Sequence, residues 1–162
     1  MTLDARPWNA FVAGDNLDVL RTLEPASVDL VYIDPPYNTG NGFAYHDNIT
    51  GAGGDDRHQA WVAMMRPRLE AARDVLAPTG AIFVSIDDNE AAYLRLLMDE
   101  VYGAGNLLAQ IVVNLNPKGR QLGRGFATSH EYLLVYAKNA RETILDASSA
   151  DSVVESLSLI HI

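Results

Sequence analysis

Two consecutive prolines, Pro35 and Pro36, follow at once on the largely apolar run from Val28 to Ile33, and no other junction constrains the chain so tightly. Neither proline has an N–H to donate to a strand ladder, and Pro36 biases Pro35 toward extended backbone. Val28 to Ile33 therefore reads as a buried strand that stops abruptly, with Asp34 held at its end and Tyr37 just beyond. A carboxylate, a rigid backbone carbonyl and an aromatic ring at such a strand end form a pocket suited to a flat, amine-bearing ring, because open α/β sheets place their ligands at this edge.

The rest of the first half alternates short apolar runs with helical periods, which predicts βαβ units and a largely parallel sheet. Phe11-Val12-Ala13 is a short strand candidate. Gly14-Asp15-Asn16 then turns the chain into a brief helix with Leu17, Leu20 and Leu23, where Asp15 or Asn16 can cap the exposed N–H groups. Trp61, Met65, Leu69, Ala72 and Leu76 recur every three or four residues, predicting a long helix from about Asp55 to Ala77 with a kink at Pro67. A turn at Pro78-Thr79-Gly80 and a strand from Ala81 to Ile86, covered on both faces, follow. Leu94, Leu97, Met98 and Val101 mark a second helix capped by Asp88 or Asn89 and stopped at Gly103. Leu107 to Val113 and Glu131 to Ala137 are two further strands. The connection between them holds Pro117 and three glycines and has no helical period, so they are predicted to pair antiparallel.

With 162 residues, 48% of them apolar and 20% charged, the chain has the composition of one globular domain with its own core. It contains no cysteine, which rules out disulfides and thiolate metal sites and fits a cytoplasmic location. No apolar run reaches the ~20 residues that cross a bilayer, so no membrane partner is expected. The four histidines, His46, His58, His130 and His161, lack metal-ligand spacing, and no metal is expected. A net charge of −9 opposes the phosphate attraction on which nucleic-acid binding depends. Lys118, Arg120 and Arg124 nevertheless fall together in one Gly-rich stretch, which is either a phosphate-contacting loop or a solvated surface.

The segment Val31-Tyr32-Ile33-Asp34-Pro35-Pro36-Tyr37-Asn38-Thr39-Gly40 resembles the catalytic signature of amino-methylating DNA methyltransferases. Its extension through Asn41 and Phe43-Ala44-Tyr45 is similar to the modification subunits of type III restriction systems. Asp rather than Ser at the first position favours adenine over cytosine. The resemblance runs from about Ala10 to Asn139. It implies a three-layer, Rossmann-like α/β fold of the S-adenosylmethionine-dependent methyltransferases, with the catalytic half of the sheet present. It also implies a catalytic set of Asp34, Pro35, Pro36 and Tyr37. The Asp34 carboxylate and Pro35 carbonyl would hold the amine protons, and Tyr37 would stack on a base flipped from the duplex.

The same resemblance places Asp15, Asn16, Asp34, Ser85 and Asp87 beside the cofactor S-adenosylmethionine. Asn38, Lys118, Arg120, Arg124 and His130 then fall on the DNA side. Helix capping accounts equally for Asp15. The implied partners are double-stranded DNA, a restriction endonuclease subunit and, in a full-length protein, a second copy.

The glycine-rich cofactor loop of this family does not occur in the chain. Residues 1–139 are thus expected to be the catalytic part and residues 140–156 the start of a target-recognition region. Residues 157–162 can be encoded by CTG TCT CTT ATA CAC ATC, a transposon end used in sequencing libraries, and are expected to be an adapter-derived tail. Without the strand that leads into the glycine loop, one edge of Val28 to Ile33 is expected to be bare. Two rivals to adenine methylation are cytosine N4 methylation and a non-catalytic DNA-binding or subunit-interaction module.

Overall fold

The computed structural model describes residues 11–39, 54–115, 129–145 and 159–161. Its elements run α1 (Asn16–Leu20), β1 (Val28–Ile33), α2 (Gly54–Val75), β2 (Leu76–Ile86), α3 (Ala91–Met98), β3 (Leu107–Asn114), β4 (His130–Ala137) and β5 (Leu159–His161). The five strands form one sheet in the order β3-β4-β2-β1-β5. β1 lies parallel to both β2 and β5, and β4 is antiparallel to both β2 and β3. The βαβ unit and the antiparallel pair are therefore where the sequence pattern puts them.

Alternation along the strands explains the core. Val31 pairs with Ile82 and Ile33 with Val84, so these residues and Ile86 share one face. That face is fully buried in a single cluster with Trp61, Met65, Leu69 and Ala72 of α2 and Leu94, Leu97 and Met98 of α3. The helical stripes read from the sequence are the stripes that pack. On the opposite face Leu30, Tyr32 and Phe83 are only half-buried, so the expected coverage of both faces does not extend to them. The described residues thus supply the sheet and the helical layer on one of its sides.

Four local expectations are corrected. Phe11, Val12 and Ala13 are irregular and exposed, because no neighbouring strand among the described residues offers them a ladder. Leu76 opens β2 instead of closing α2, and Pro78-Thr79-Gly80 is an irregularity within that strand. Val28 faces Leu76 but Leu30 faces Ala81, so the extra residues of β2 loop out where Pro78 has no N–H to give. Gly80 is required there, since a Cβ would lie 2.9 Å from the Asp29 carbonyl oxygen and 3.0 Å from that of Val28. The N-cap of α3 is Glu90, while Asp87 accepts the backbone N–H of Asn89 at 2.9 Å in the turn before it. Finally, the outer edge of β1 is covered, with Leu30, Val31 and Tyr32 paired to Leu159, Ile160 and His161.

The helical run after α3 widens into a π-turn at Asp99–Gly103 and ends at Gly103, whose φ of +88° suits a residue without a Cβ.

A chain shortened before Leu159 should expose the Leu30–Tyr32 edge. Amide hydrogen exchange at residues 30–32 should accelerate and light scattering on concentration should rise. Exchange unchanged by the deletion would show that the pairing contributes nothing.

Candidate active site

The site is a product of strand register. Ile33 is opposite Val84, so one step further Asp34 and Ser85 meet at the C-terminal ends of two parallel strands. The buried Ser85 hydroxyl donates to Asp34 Oδ1 at 2.6 Å, and Oδ2 lies outside that bond. Asp34 itself is exposed. Pro35 is buried behind it, and the carbonyl of Pro36 accepts the Trp61 indole N–H at 2.7 Å. Because the indole takes Pro36, it does not use the Pro35 carbonyl. Trp61 is 1% exposed and belongs to the core stripe of α2, so the motif backbone is anchored to the hydrophobic core.

Tyr37 is half-buried at the rim of that core, and its hydroxyl donates to Glu131 Oε2 of β4 at 3.1 Å. Burial raises its phenol pKa most. The Ser85 hydroxyl beside it acts in the opposite direction, and the nearby Asp34 and Glu131 carboxylates raise it further, so the net effect lies well above the ordinary 10. Tyr37 is therefore a neutral hydrogen-bond donor at all ordinary pH values. Asn38 adopts φ +54°, a left-handed backbone that Asn tolerates better than most residues. Its amide donates to Glu90 Oε1 at 2.5 Å and to the Arg57 carbonyl at 3.4 Å. His58 Nδ1 lies 2.8 Å from the same Glu90 oxygen.

The structure therefore brings Asp34, Pro35, Pro36, Tyr37, Asn38 and Ser85 together. The other expected residues among those described have partners of their own. Asp15 caps α1 through the Leu17 N–H at 2.9 Å and accepts Arg68 with both oxygens, at 3.1 and 3.0 Å. Asn16 accepts the same guanidinium at 2.9 Å. Asp87 is bound within its turn to Asn89. His130 lies 3.0 Å from the Tyr132 hydroxyl, which donates to Asp88 at 2.9 Å. Asp87 and Asp88 thus have separate partners, and among the described residues no group of three metal-binding side chains occurs. Lys118, Arg120 and Arg124 lie outside the described residues.

Comparison with known proteins gives this edge a context. A family model for DNA methylases acting at N6 or N4 matches residues 28–156, from the start of β1 onward. The chain is 45% identical over 142 residues to the type II methyltransferase M.KpnI of Klebsiella pneumoniae, covering 85% of this chain and 34% of that protein. The chain belongs to the DNA methylase family. It is also 41% identical over 158 residues to the EcoPI Mod subunit, a type III restriction-modification enzyme of Escherichia phage P1, with 81% of this chain and 24% of that one covered. It spans about a third of the first of these relatives and a quarter of the second.

Among solved structures, its fold is shared by the PvuII cytosine-N4-specific DNA methyltransferase. The TM-score is 0.63 at 17% identity, over 92% of this chain and 55% of that one. It is shared also by a Thermus thermophilus DNA modification methylase, TTHA0409, complexed with S-adenosyl-L-methionine, at TM-score 0.58 and 20% identity, over 78% and 51% of the two chains. The partial methyltransferase fold expected from the motif is therefore the fold this chain has.

Four side chains at the site went unread in the sequence. Trp61 was legible as a core residue only, and its N–H needed a partner once buried. Glu131 follows His130 directly, with nothing local to link it to Tyr37, 94 residues away. His58 and Glu90 are 32 residues apart and meet only when α2 packs on α3.

The alkaline limb of stability follows from three tyrosines. Tyr37, Tyr102 and Tyr136 are all raised well above 10, with burial the leading cause in each. Below pH 10 both folded and unfolded chains keep these protons. Above it the unfolded chain loses them first, so the folded state should lose stability as pH climbs past about 10. Absorbance at 295 nm should show these phenols ionising only as the far-ultraviolet helix signal collapses. Tyrosinate appearing in a still-folded chain, in proportion to all three, would contradict the assigned burial.

Proposed function

We propose that this methylase is the catalytic segment of a longer, adenine-specific DNA methyltransferase that transfers a methyl group from S-adenosylmethionine to adenine N6. The observation that carries the reading is Asp34, exposed at the end of β1 and aimed by the buried Ser85 hydroxyl. A purine amine has little lone-pair density, because the ring withdraws it. Two acceptors, the Asp34 carboxylate and the Pro35 carbonyl, can take its two N–H groups and favour a pyramidal nitrogen able to attack. As the N–C bond forms, that nitrogen becomes cationic and must lose a proton, and Asp34 is the base beside it. The Tyr37 ring supplies a stacking surface for a base swung out of the duplex.

The described residues fit the acceptor side of this reaction and not the donor side. Asp15 and Asn16 are held by Arg68, Asp87 by Asn89, and Ser85 is engaged by Asp34. When bound, S-adenosylmethionine supplies an electrophilic sulfonium methyl, and we assign its principal contacts to residues beyond those described. Residues 1–139 are in this reading the catalytic part, residues 140–156 the entry to a target-recognition region and residues 157–162 a non-native tail. Lys118, Arg120, Arg124 and His130 are assigned to the DNA side. The type III relatives, named as Mod subunits of restriction-modification enzymes, support DNA and a restriction subunit as partners, and a second copy is assigned on the resemblance of the motif alone. They also support a cytoplasmic place of action. No helix of the described residues is long and apolar enough to cross a membrane.

In the full-length enzyme, Asp34→Ala should slow single-turnover methyl transfer by about 3 kcal/mol, roughly a hundredfold, while duplex binding stays intact. A rate within a few fold of wild type would remove Asp34 from the chemistry. Tyr37→Ala should weaken capture of the flipped base by about 1–3 kcal/mol, read by 2-aminopurine fluorescence at the target position. Tyr37→Phe should retain that capture and lose only the bond to Glu131. An Ala variant that flips the base normally would give Tyr37 a purely structural place.

A further inference from the structure

Glu90 is the one carboxylate among the described residues that is wholly enclosed, at 0% exposure, and the catalytic reading above gives it no task. Burying a carboxylate costs several kcal/mol unless donors surround it. Here its Oε1 serves two donors, the Asn38 amide at 2.5 Å and the His58 ring nitrogen at 2.8 Å, while Oε2 has no hydrogen-bond partner among the described residues. His58 is fixed in turn by stacking on Tyr93, with ring centroids 4.4 Å apart and planes 12° from parallel. The three side chains come from three elements: the turn after the proline pair, α2, and the N-cap of α3. What they converge on is the residue directly after Tyr37, the one that takes the left-handed backbone.

We propose that Glu90 is a positioning residue for methyl transfer: with His58 it locks the Asn38 turn, and through that turn it holds the Tyr37 ring and the Asp34 carboxylate in their reactive placement. The proposal rests on the catalytic reading of Asp34 and Tyr37. Its logic is geometric. Trp61 clamps the motif at the Pro36 carbonyl and Ser85 clamps it at Asp34, but neither restrains the chain beyond Tyr37. A left-handed residue has an extended alternative close in energy, and switching to it would swing Tyr37 away from the strand end. The bond from the Asn38 amide to an immobile, buried acceptor removes that freedom. A placement error near 1 Å is enough to cost about a hundredfold in rate.

The test uses two readouts. In the full-length enzyme Glu90→Ala should lower kcat ten- to a hundredfold with KM for duplex DNA changed less than threefold. Glu90→Gln, whose amide oxygen can still accept both donors, should stay within about fivefold of wild type. Asn38→Gly, which permits the same backbone and deletes only the amide, should reproduce the Glu90→Ala loss, and the double variant should be no worse than either alone. Independently of activity, the Trp61 indole resonance of the present chain, in a Trp8→Phe background, reports the Pro36 carbonyl. It should shift in Glu90→Ala and Asn38→Gly alike and return in Glu90→Gln. Additive losses, a Glu90→Gln variant as slow as Glu90→Ala, or an indole resonance indifferent to all three would overturn the proposal. If the wild-type enzyme transfers no methyl group yet the resonance pattern holds, the catalytic reading fails while the positioning of the turn stands.

Discussion

The parallel pairing of β1 with β2 is the constraint on which the site depends. Its register sets Ile33 against Val84, and from that single alignment Asp34 meets Ser85, the prolines clear the sheet, and Trp61 comes within reach of Pro36. A slip of one residue would turn every side chain of β1 to the other face, sending Val31 and Ile33 out of the cluster that α2 and α3 cover. The close approach of Gly80 to the Asp29 and Val28 carbonyls guards the alignment at the far end, where β2 carries its extra residues. The meeting of Asp34 with Ser85 and the packing of the hydrophobic cluster are thus set by the same register.

What could be read from the sequence follows the range of the physics involved. The strand stop at Pro35, the helical stripe from Trp61 to Ala72 and the antiparallel pairing of β3 with β4 depend on neighbours a few residues apart or on the absence of a helix, and all were legible. Asp34 and Tyr37 were legible because the motif is contiguous. Ser85 was legible through the resemblance as a site residue, but its bond to Asp34, 51 residues away, was not, nor was the bond from Tyr37 to Glu131, 94 residues away. Phe11 to Ala13 has strand propensity without a described strand beside it, and propensity alone does not make a ladder. Leu76 fits the last turn of the helical period, but its backbone pairs with Val28, so tertiary pairing overrides the local pattern.

The acidic balance is not altered by ion pairing, because each pair takes one cation with one anion and the net charge stays −9. Asp15 at the N-cap of α1 pairs with Arg68 of α2, and in the turn after α3 Glu100 pairs with Arg66 and Asp99 with Arg95, each an exposed or half-exposed pair. Such pairs add little to stability, because water already solvates both partners. A net charge of −9 belongs to a chain that spans a third of M.KpnI, and a segment's total does not set the field at its functional edge.

Exposure is graded at that edge in a way that separates reacting groups from the groups that aim them. Asp34 is open to solvent, as a carboxylate must be if it is to exchange water for the protons of an amine. Ser85, Trp61 and Glu90 are at most 3% exposed, and each donates to or accepts from the motif or the turn after it. These bonds are part-buried, and lowered exposure to water strengthens a hydrogen bond electrostatically. Glu90 carries the larger cost, being a whole carboxylate with one oxygen unsatisfied, whereas Ser85 and Trp61 each bury a single donor that is met. Three elements distant in sequence thereby restrain one short loop, and within the proline motif the Asp34 carboxylate is left exposed while Tyr37 is half-buried.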